Sequence, residues 1–330
     1  MKWLTVAPEQ ALGKILCHNV ADAQGHKALH KGAWLSDSDL ATLRLLDIKE
    51  VTVAVLEPGD VHEDAAARRL AAACAGGGVT QNDASGGRVN LLSGEAGLLK
   101  VRLNALQQVN RIDGLTVATL RHDTVVAAGK MVATIKIIPY AIAEADLARA
   151  EGICREQQGM IEVRPIPQTR VGVILSGSEL VRERVMKTFA PAIRARVEEL
   201  GSEVRDVIYV PHQSKAIASA IELLSISGAG MIIIAGETSI MDRDDITPRG
   251  ILLAGGTIAH YGAPVEPGNL LLLAYLPSQD GAAPVPVLGA PGCVRSRDVN
   301  VVDLVLPRLL AGERLERDDI IALADGGLML

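Results

Sequence analysis

The sequence predicts an α/β fold: a mostly parallel sheet with helices on both faces in the second half, preceded by a small α/β unit and a β-rich module. Three observations predict it. Met231-Ile232-Ile233-Ile234-Ala235 is an unbroken apolar run, rich in β-branched residues, as expected of a strand buried on both faces, and Gly236 ends it. From Arg170 onward, strand-length apolar runs alternate with helix-length amphipathic segments, the order of βαβ units in a parallel sheet. Hydrophobic residues make up 48% of the chain yet include one Phe, two Trp and four Tyr, so the core falls to aliphatic side chains that pack well between helices and sheet.

At 330 residues the chain is long enough for two or three domains, and composition places them at 1–75, 76–165 and 166–330. In the first, residues 11–20 read as a strand. Ser36 with Asp39 three positions on forms a capping-box pattern at a helix start, and residues 51–56 alternate as a strand. An alanine-rich helix is expected over 62–74; His62, Glu63 and Asp64 in its first turn suit the helix dipole rather than a metal. In the second, short strands are expected at 89–92, 97–101, 115–120 and 131–138, with residues 122–138 forming a β-hairpin. A helix over 144–157 leads to Arg164-Pro165-Ile166-Pro167, where alternating prolines favour an extended linker.

In the third, strands are expected at 171–175, 204–210, 231–235, 258–260, 270–275 and 285–288. Helices are expected at 181–200 (kinked at Pro191), 214–227, 246–254 and 298–310. Thr247 reads as the N-cap of the third of these helices, with Pro248 at its first helical position.

The formal charge of −6 and the scarcity of aromatic residues argue against a nucleic-acid partner. No signal peptide or membrane-length apolar run is read, and the four cysteines form no C-x-x-C, so a cytoplasmic chain with no membrane association is expected. The seven histidines show no ligand spacing, and the P-loop, G-x-G-x-x-G and G-x-S-x-G patterns are missing.

Chemistry is expected where strands of an open α/β sheet end. Four loops qualify: Ser176-Gly177-Ser178-Glu179, residues 236–245, Glu266-Pro267-Gly268-Asn269 and residues 289–296. Glycine lets backbone N–H groups approach a ligand, and Ser178, Thr238, Ser239 and Ser296 can donate to phosphate oxygens. Asp242, Asp244 and Asp245 offer hard oxygens to Mg2+, unless Asp245 is spent capping the next helix. Arg243, Arg295 and Arg297 are the nearby cations; His260 and Cys293 are candidates for ligand contact and a reactive thiol, though a structural histidine and a small loop-filling residue are the commoner cases.

These loops, in this order, resemble the molybdopterin-binding domain shared by molybdopterin adenylyltransferases, molybdopterin molybdotransferases and gephyrin. Ser176-Gly177-Ser178-Glu179-Leu180 is similar to that family's Thr-Gly-Asp-Glu-Leu turn. Gly236-Glu237-Thr238-Ser239 is similar to its Gly-Gly-x-Ser loop, and Arg243-Asp244-Asp245-Ile246-Thr247-Pro248 to the Arg-Asp-Val-Thr-Pro of the adenylyltransferases. Pro267-Gly268 resembles a Pro-Gly-Lys turn, and Pro291-Gly292 with Ser296 the Leu-Pro-Gly-Asn-Pro-x-Ser loop. Residues 13–18, 31–32, 40–46 and 51–55 resemble the segment that precedes this domain in molybdotransferases. The whole chain is most like a bacterial group often joined to a C-terminal nucleotidyltransferase, a domain not expected here.

The resemblance implies molybdopterin, or its nucleotide form, as ligand in molybdenum cofactor biosynthesis. Ser176, Gly177, Ser178, Glu179, Gly236, Glu237, Thr238, Ser239, Pro267, Gly268, Asn269, Pro291, Gly292 and Ser296 would contact it. Asp242 and Asp244 would be catalytic, holding Mg2+ with Asp245 if nucleotidyl or molybdate transfer takes place. The alternatives are a non-catalytic carrier for a partner nucleotidyltransferase or molybdoenzyme, and a ligand-free interaction module; a homo-oligomer is implied. Three departures from the family pattern bear on this. Glu237 replaces a glycine, Glu266 and Asn269 stand where molybdotransferases have lysines, and Ser178 replaces an aspartate. Losing cations and gaining carboxylates weakens an anion site by about 2–3 kcal/mol each where buried.

Overall fold

A computed structural model describes residues 1–277 and 283–329. Contacts divide the chain into two compact units, Met1–Arg164 and Pro165–Leu330.

In the first unit, the helix Asp37–Leu45 starts at the expected capping box. The Ser36 hydroxyl accepts the Asp39 amide proton, and the Asp39 carboxylate accepts that of Ser36 at 2.8 Å. The alanine-rich helix spans Glu63–Cys74 with the His62 side chain as its cap. Its Ala66, Leu70 and Cys74 join one buried cluster with Leu91, Leu99, Ile135, Leu147 and Cys154. The apolar core therefore runs across the glycine-rich stretch at 76–78.

The expected hairpin over 122–138 is not formed. Val125–Val126 pairs with Gly97–Val101, whereas Met131–Ile137 lies between Leu115–Thr119 and Arg88–Ser93 as an inner strand. Ile135 and Ile137 are fully buried there, and such a strand needs a neighbour on each side to satisfy its backbone. A helix absent from the sequence reading, Leu103–Asn110, buries Ala105 and Val109, four positions apart on one face.

The second unit is built on β1 (Arg170–Ser176), α1 (Arg182–Glu199), β2 (Glu203–Val210), α2 (Ser214–Ile226), β3 (Met231–Gly236), α3 (Ile246–Leu253), β4 (Thr257–Tyr261), β5 (Leu272–Leu276), β6 (Val285–Gly289), α4 (Val301–Leu310) and α5 (Arg317–Ile321). The strands form one six-stranded sheet in the order β2-β1-β3-β6-β5-β4. β2, β1, β3 and β6 are parallel; β5 and β4 run antiparallel to their neighbours at one side. The sheet is thus mostly parallel, as expected.

Alternation along β3 divides its side chains between the two faces. Met231, Ile233 and Ala235 pack with Val185, Phe189 and Ile193 of α1 and with Val302 and Leu306 of α4. Ile232 and Ile234 pack with Ile217, Ile221 and Leu224 of α2 and Ile251 of α3. Burying each isoleucine contributes about 1.5–3 kcal/mol relative to exposure, which makes β3 the axis of the unit.

One helix start differs from expectation. α3 begins at Ile246 with Asp245 as N-cap, so Thr247 and Pro248 are its second and third residues. Asp245 supplies a carboxylate oxygen to the Ile246 amide at 2.6 Å and the other to that of Met241 at 3.0 Å, closing the loop onto the helix. Thr247 is buried, so its hydroxyl is not the cap.

Candidate functional site

Strand register places several loop origins in one row. Ser176 of β1 lies beside Val210 of β2 and Gly236 of β3. Ile234 pairs with Gly289 of β6, Gly289 with Leu272 of β5, and Leu272 with Tyr261 of β4. The loops leaving β1, β2, β3 and β6 and the loop entering β5 therefore occupy a common sheet edge.

Three of them make a corner. Buried Ser176 places its hydroxyl 3.1 Å from His212 Nδ1, and His212 Nε2 lies 2.9 Å from the Thr238 hydroxyl. His212 was not among the sequence candidates, although it occupies the loop after β2, a position the strand-end rule would have reached. Ser239 approaches Gly292 of the 289–296 loop, and Tyr261 donates its phenol proton to the Ile240 carbonyl at 3.0 Å.

Gly236 makes the corner possible: a Cβ there would stand 2.4 Å from the Ser176 carbonyl oxygen. Because that neighbour is backbone, Gly236→Ala is expected to cost about 1–3 kcal/mol, read by urea unfolding.

The 176–179 turn is largely satisfied from within. The Gly177 amide donates to the Val210 carbonyl at 3.2 Å, and the Glu237 amide to the Ser176 carbonyl at 2.9 Å. The Ser178 amide, expected to meet an anion, donates at 3.1 Å to the Glu237 carboxylate, whose other oxygen lies 3.9 Å from Arg184. Tyr209 donates to the Ser178 carbonyl at 2.7 Å, with Arg182 over its ring. Burial first, then Glu237, raises the Tyr209 phenol above its ordinary range, so it stays a donor at neutral pH. Among the described residues, the Thr238 and Ser239 amides donate to no other group. Glu179 is exposed and pairs with Arg182 at 3.1 Å.

The three aspartates do not gather. Asp245 is committed as the cap of α3, and Asp242 accepts the Asp244 amide at 2.8 Å. Among the described residues no group of three or more His, Cys, Asp or Glu side chains is placed to hold a metal ion. With Asp245 spent on the α3 cap, Asp242 and Asp244 are the carboxylates left to a cation in this loop.

The remaining candidates have structural partners. Asn269 donates to the Glu266 carboxylate at 3.0 Å, and the Pro267 carbonyl accepts the Val301 amide at the start of α4 at 3.1 Å. Gly268, at φ +131°, has no room for a Cβ against Val301. Ser296 donates to Asp298 at 2.6 Å, and Arg297 is paired with Glu199. Pro291 is buried, while Arg243 and Arg295 are exposed. Burial raises the Cys293 thiol above its ordinary value, away from ready ionisation.

His260 of β4 is buried, and its Nδ1 has no partner among the described residues. Burial holds its imidazole below the ordinary 6.5 against the opposing pull of the Gly262 backbone, with Arg317 and Arg243 on the lowering side. The unfolded chain takes up this proton first. Stability is therefore full above pH 6.5 and is lost as the pH falls from there through the folded value. Urea midpoints of His260→Gln measured across that range should lose this acid-side decline.

Residues 172–311 match the family described as probable molybdopterin binding domain. A molybdopterin molybdenumtransferase of Synechococcus elongatus is 26% identical over 161 residues, which cover 46% of this chain and 39% of that relative. The match thus spans well under half the length of the relative. Among solved structures, a molybdenum cofactor biosynthesis protein from Pyrococcus furiosus aligns at 14% identity and TM-score 0.26, covering 97% of this chain and 65% of that one. The tungsten cofactor synthesizing protein MoaB from the same organism aligns at 17% identity and TM-score 0.31, covering 43% and 91%.

Proposed function

We propose, from the premise that residues 172–311 carry a domain of the probable molybdopterin-binding family, that this chain serves molybdenum cofactor biosynthesis by binding molybdopterin or its nucleotide form. The ligand lies over the common sheet edge. Its phosphate meets the Thr238 and Ser239 amides and hydroxyls, with His212 holding Thr238 in place and Gly292 beside Ser239. The observation that carries this reading is the uncommitted pair of amides at Thr238 and Ser239, at a strand end within the family's domain.

A second reading, carriage without turnover to a partner nucleotidyltransferase or molybdoenzyme, is favoured by two observations. Asp245 is spent as the cap of α3, and Glu237 occupies the Ser178 amide. Incubating the full chain with molybdopterin, ATP and Mg2+ separates them: AMP-linked product supports transfer, and saturable binding without product supports carriage. Under carriage, replacing both Asp242 and Asp244 with Asn changes pterin affinity less than threefold. Product that disappears in that variant would overturn carriage and make the two carboxylates catalytic.

A further inference from the structure

We propose that Cys74 and Cys154 form an oxidisable dithiol, converted to a disulfide by hydrogen peroxide that enters from the cleft beside them. The two residues lie 80 positions apart in sequence, and their sulfur atoms are 3.4 Å apart. That separation is at or inside the contact distance of two sulfurs, so bond formation needs side-chain adjustment rather than a change of fold. Both are free thiols with fully buried side chains, and nothing proposed for the second unit uses them.

Access comes from the surroundings. A cleft of about 530 Å³ is walled by Ala73 and Ala75, the chain neighbours of Cys74, and by Glu151 and Arg155 around Cys154. Cys74 is the last residue of its helix, and extended backbone at Ala75 follows at once. The Cys74 carbonyl accepts the Met160 amide at 2.9 Å and the Gly76 amide donates to the Ile161 carbonyl at 2.7 Å, so a peroxide-sized molecule in the cleft reaches the sulfurs by a local opening that parts these bonds.

The chemistry runs in two steps, written with Cys154 as the first nucleophile. Either sulfur can donate to the other; with Cys74 donating, the bond lowers the Cys154 thiol against its burial and the Glu151 carboxylate, and Arg155 adds to the lowering. Cys154 thiolate attacks one peroxide oxygen; the O–O bond breaks, an S–O bond forms, and the hydroxide released takes up the proton that Cys154 gave up. Cys74 then attacks the sulfur of the sulfenic acid; the S–S bond forms, and the hydroxyl leaves as a second water carrying the Cys74 proton. Both sulfurs are oxidised and one peroxide is reduced to two waters.

The test treats the reduced, folded full chain with hydrogen peroxide, alkylates it under denaturing conditions and maps the peptides without reduction. The expected result is loss of two of the four thiols and a Cys74 peptide joined to a Cys154 peptide, about 2 Da lighter than their sum. Dithiothreitol should restore both. The joined peptide should persist in a Cys17→Ser/Cys293→Ser variant, which leaves the pair untouched. Cys74 and Cys154 both alkylated after treatment, oxidised separately to sulfinic acids, or joined to Cys17 or Cys293 instead would overturn the proposal.

Discussion

Glu237→Gly tightens binding of a phosphorylated pterin by about tenfold to a hundredfold, measured as Kd on the full chain. In the wild-type chain the Glu237 carboxylate takes the Ser178 amide proton at 3.1 Å, so an anion reaching the 176–179 turn must displace it. The arriving phosphate also meets a like charge, which Arg184 at 3.9 Å balances in part. Removing the side chain frees the donor and deletes the repulsion, together worth on the order of 1.5–3 kcal/mol in a partly exposed site. Glu237→Gln, which keeps an acceptor but loses the charge, should fall between the two. Weaker binding in the glycine variant would mean that the carboxylate serves the ligand instead of excluding it.

Arg196→Met destabilises the chain by about 2–4 kcal/mol in urea unfolding, because it strips the half-buried Asp303 carboxylate and the Val294 and Asp298 carbonyls of their shared donor. The Arg196 guanidinium is 4% exposed and holds two parts of the site together. From α1 it reaches Asp303 of α4 at 2.8 Å, the Val294 carbonyl at 3.0 Å and the Asp298 carbonyl at 2.9 Å. Asp303 also accepts the Asn300 amide in the capping box that starts α4. Losing the arginine therefore loosens the 291–298 loop and the helix behind it together. Arg196→Lys should recover little, since an ammonium cannot reproduce the planar fork.

What could be read from the sequence follows from how local each feature is. The β3 run, the Ser36–Asp39 box and the alternation of elements after Arg170 depend on neighbours in sequence, and the structure carries all three. The α3 cap differs from expectation because Asp245 and Thr247 both suit an N-cap, and burial of Thr247, which no local pattern reveals, decides between them. Residues 122–138 carried two strand-like runs around a turn, but their partners lie elsewhere in the chain. In the site, the sequence supplied the identity of Glu237 but not the direction of its side chain. It supplied His212 without its two hydroxyl partners, and three aspartates of which Asp242 and Asp245 are fixed by backbone amides. The Cys74–Cys154 pair was beyond reach, because only the fold brings the two sulfurs together.

The central claim is that the Thr238–Ser239 corner receives the phosphate of a pterin. Equilibrium binding of molybdopterin to the full chain, with inorganic pyrophosphate as competitor, tests it most directly. Saturable binding of one molecule per chain, weakened by pyrophosphate, is the predicted result. No saturable binding into the high micromolar range, or binding indifferent to pyrophosphate, would contradict it.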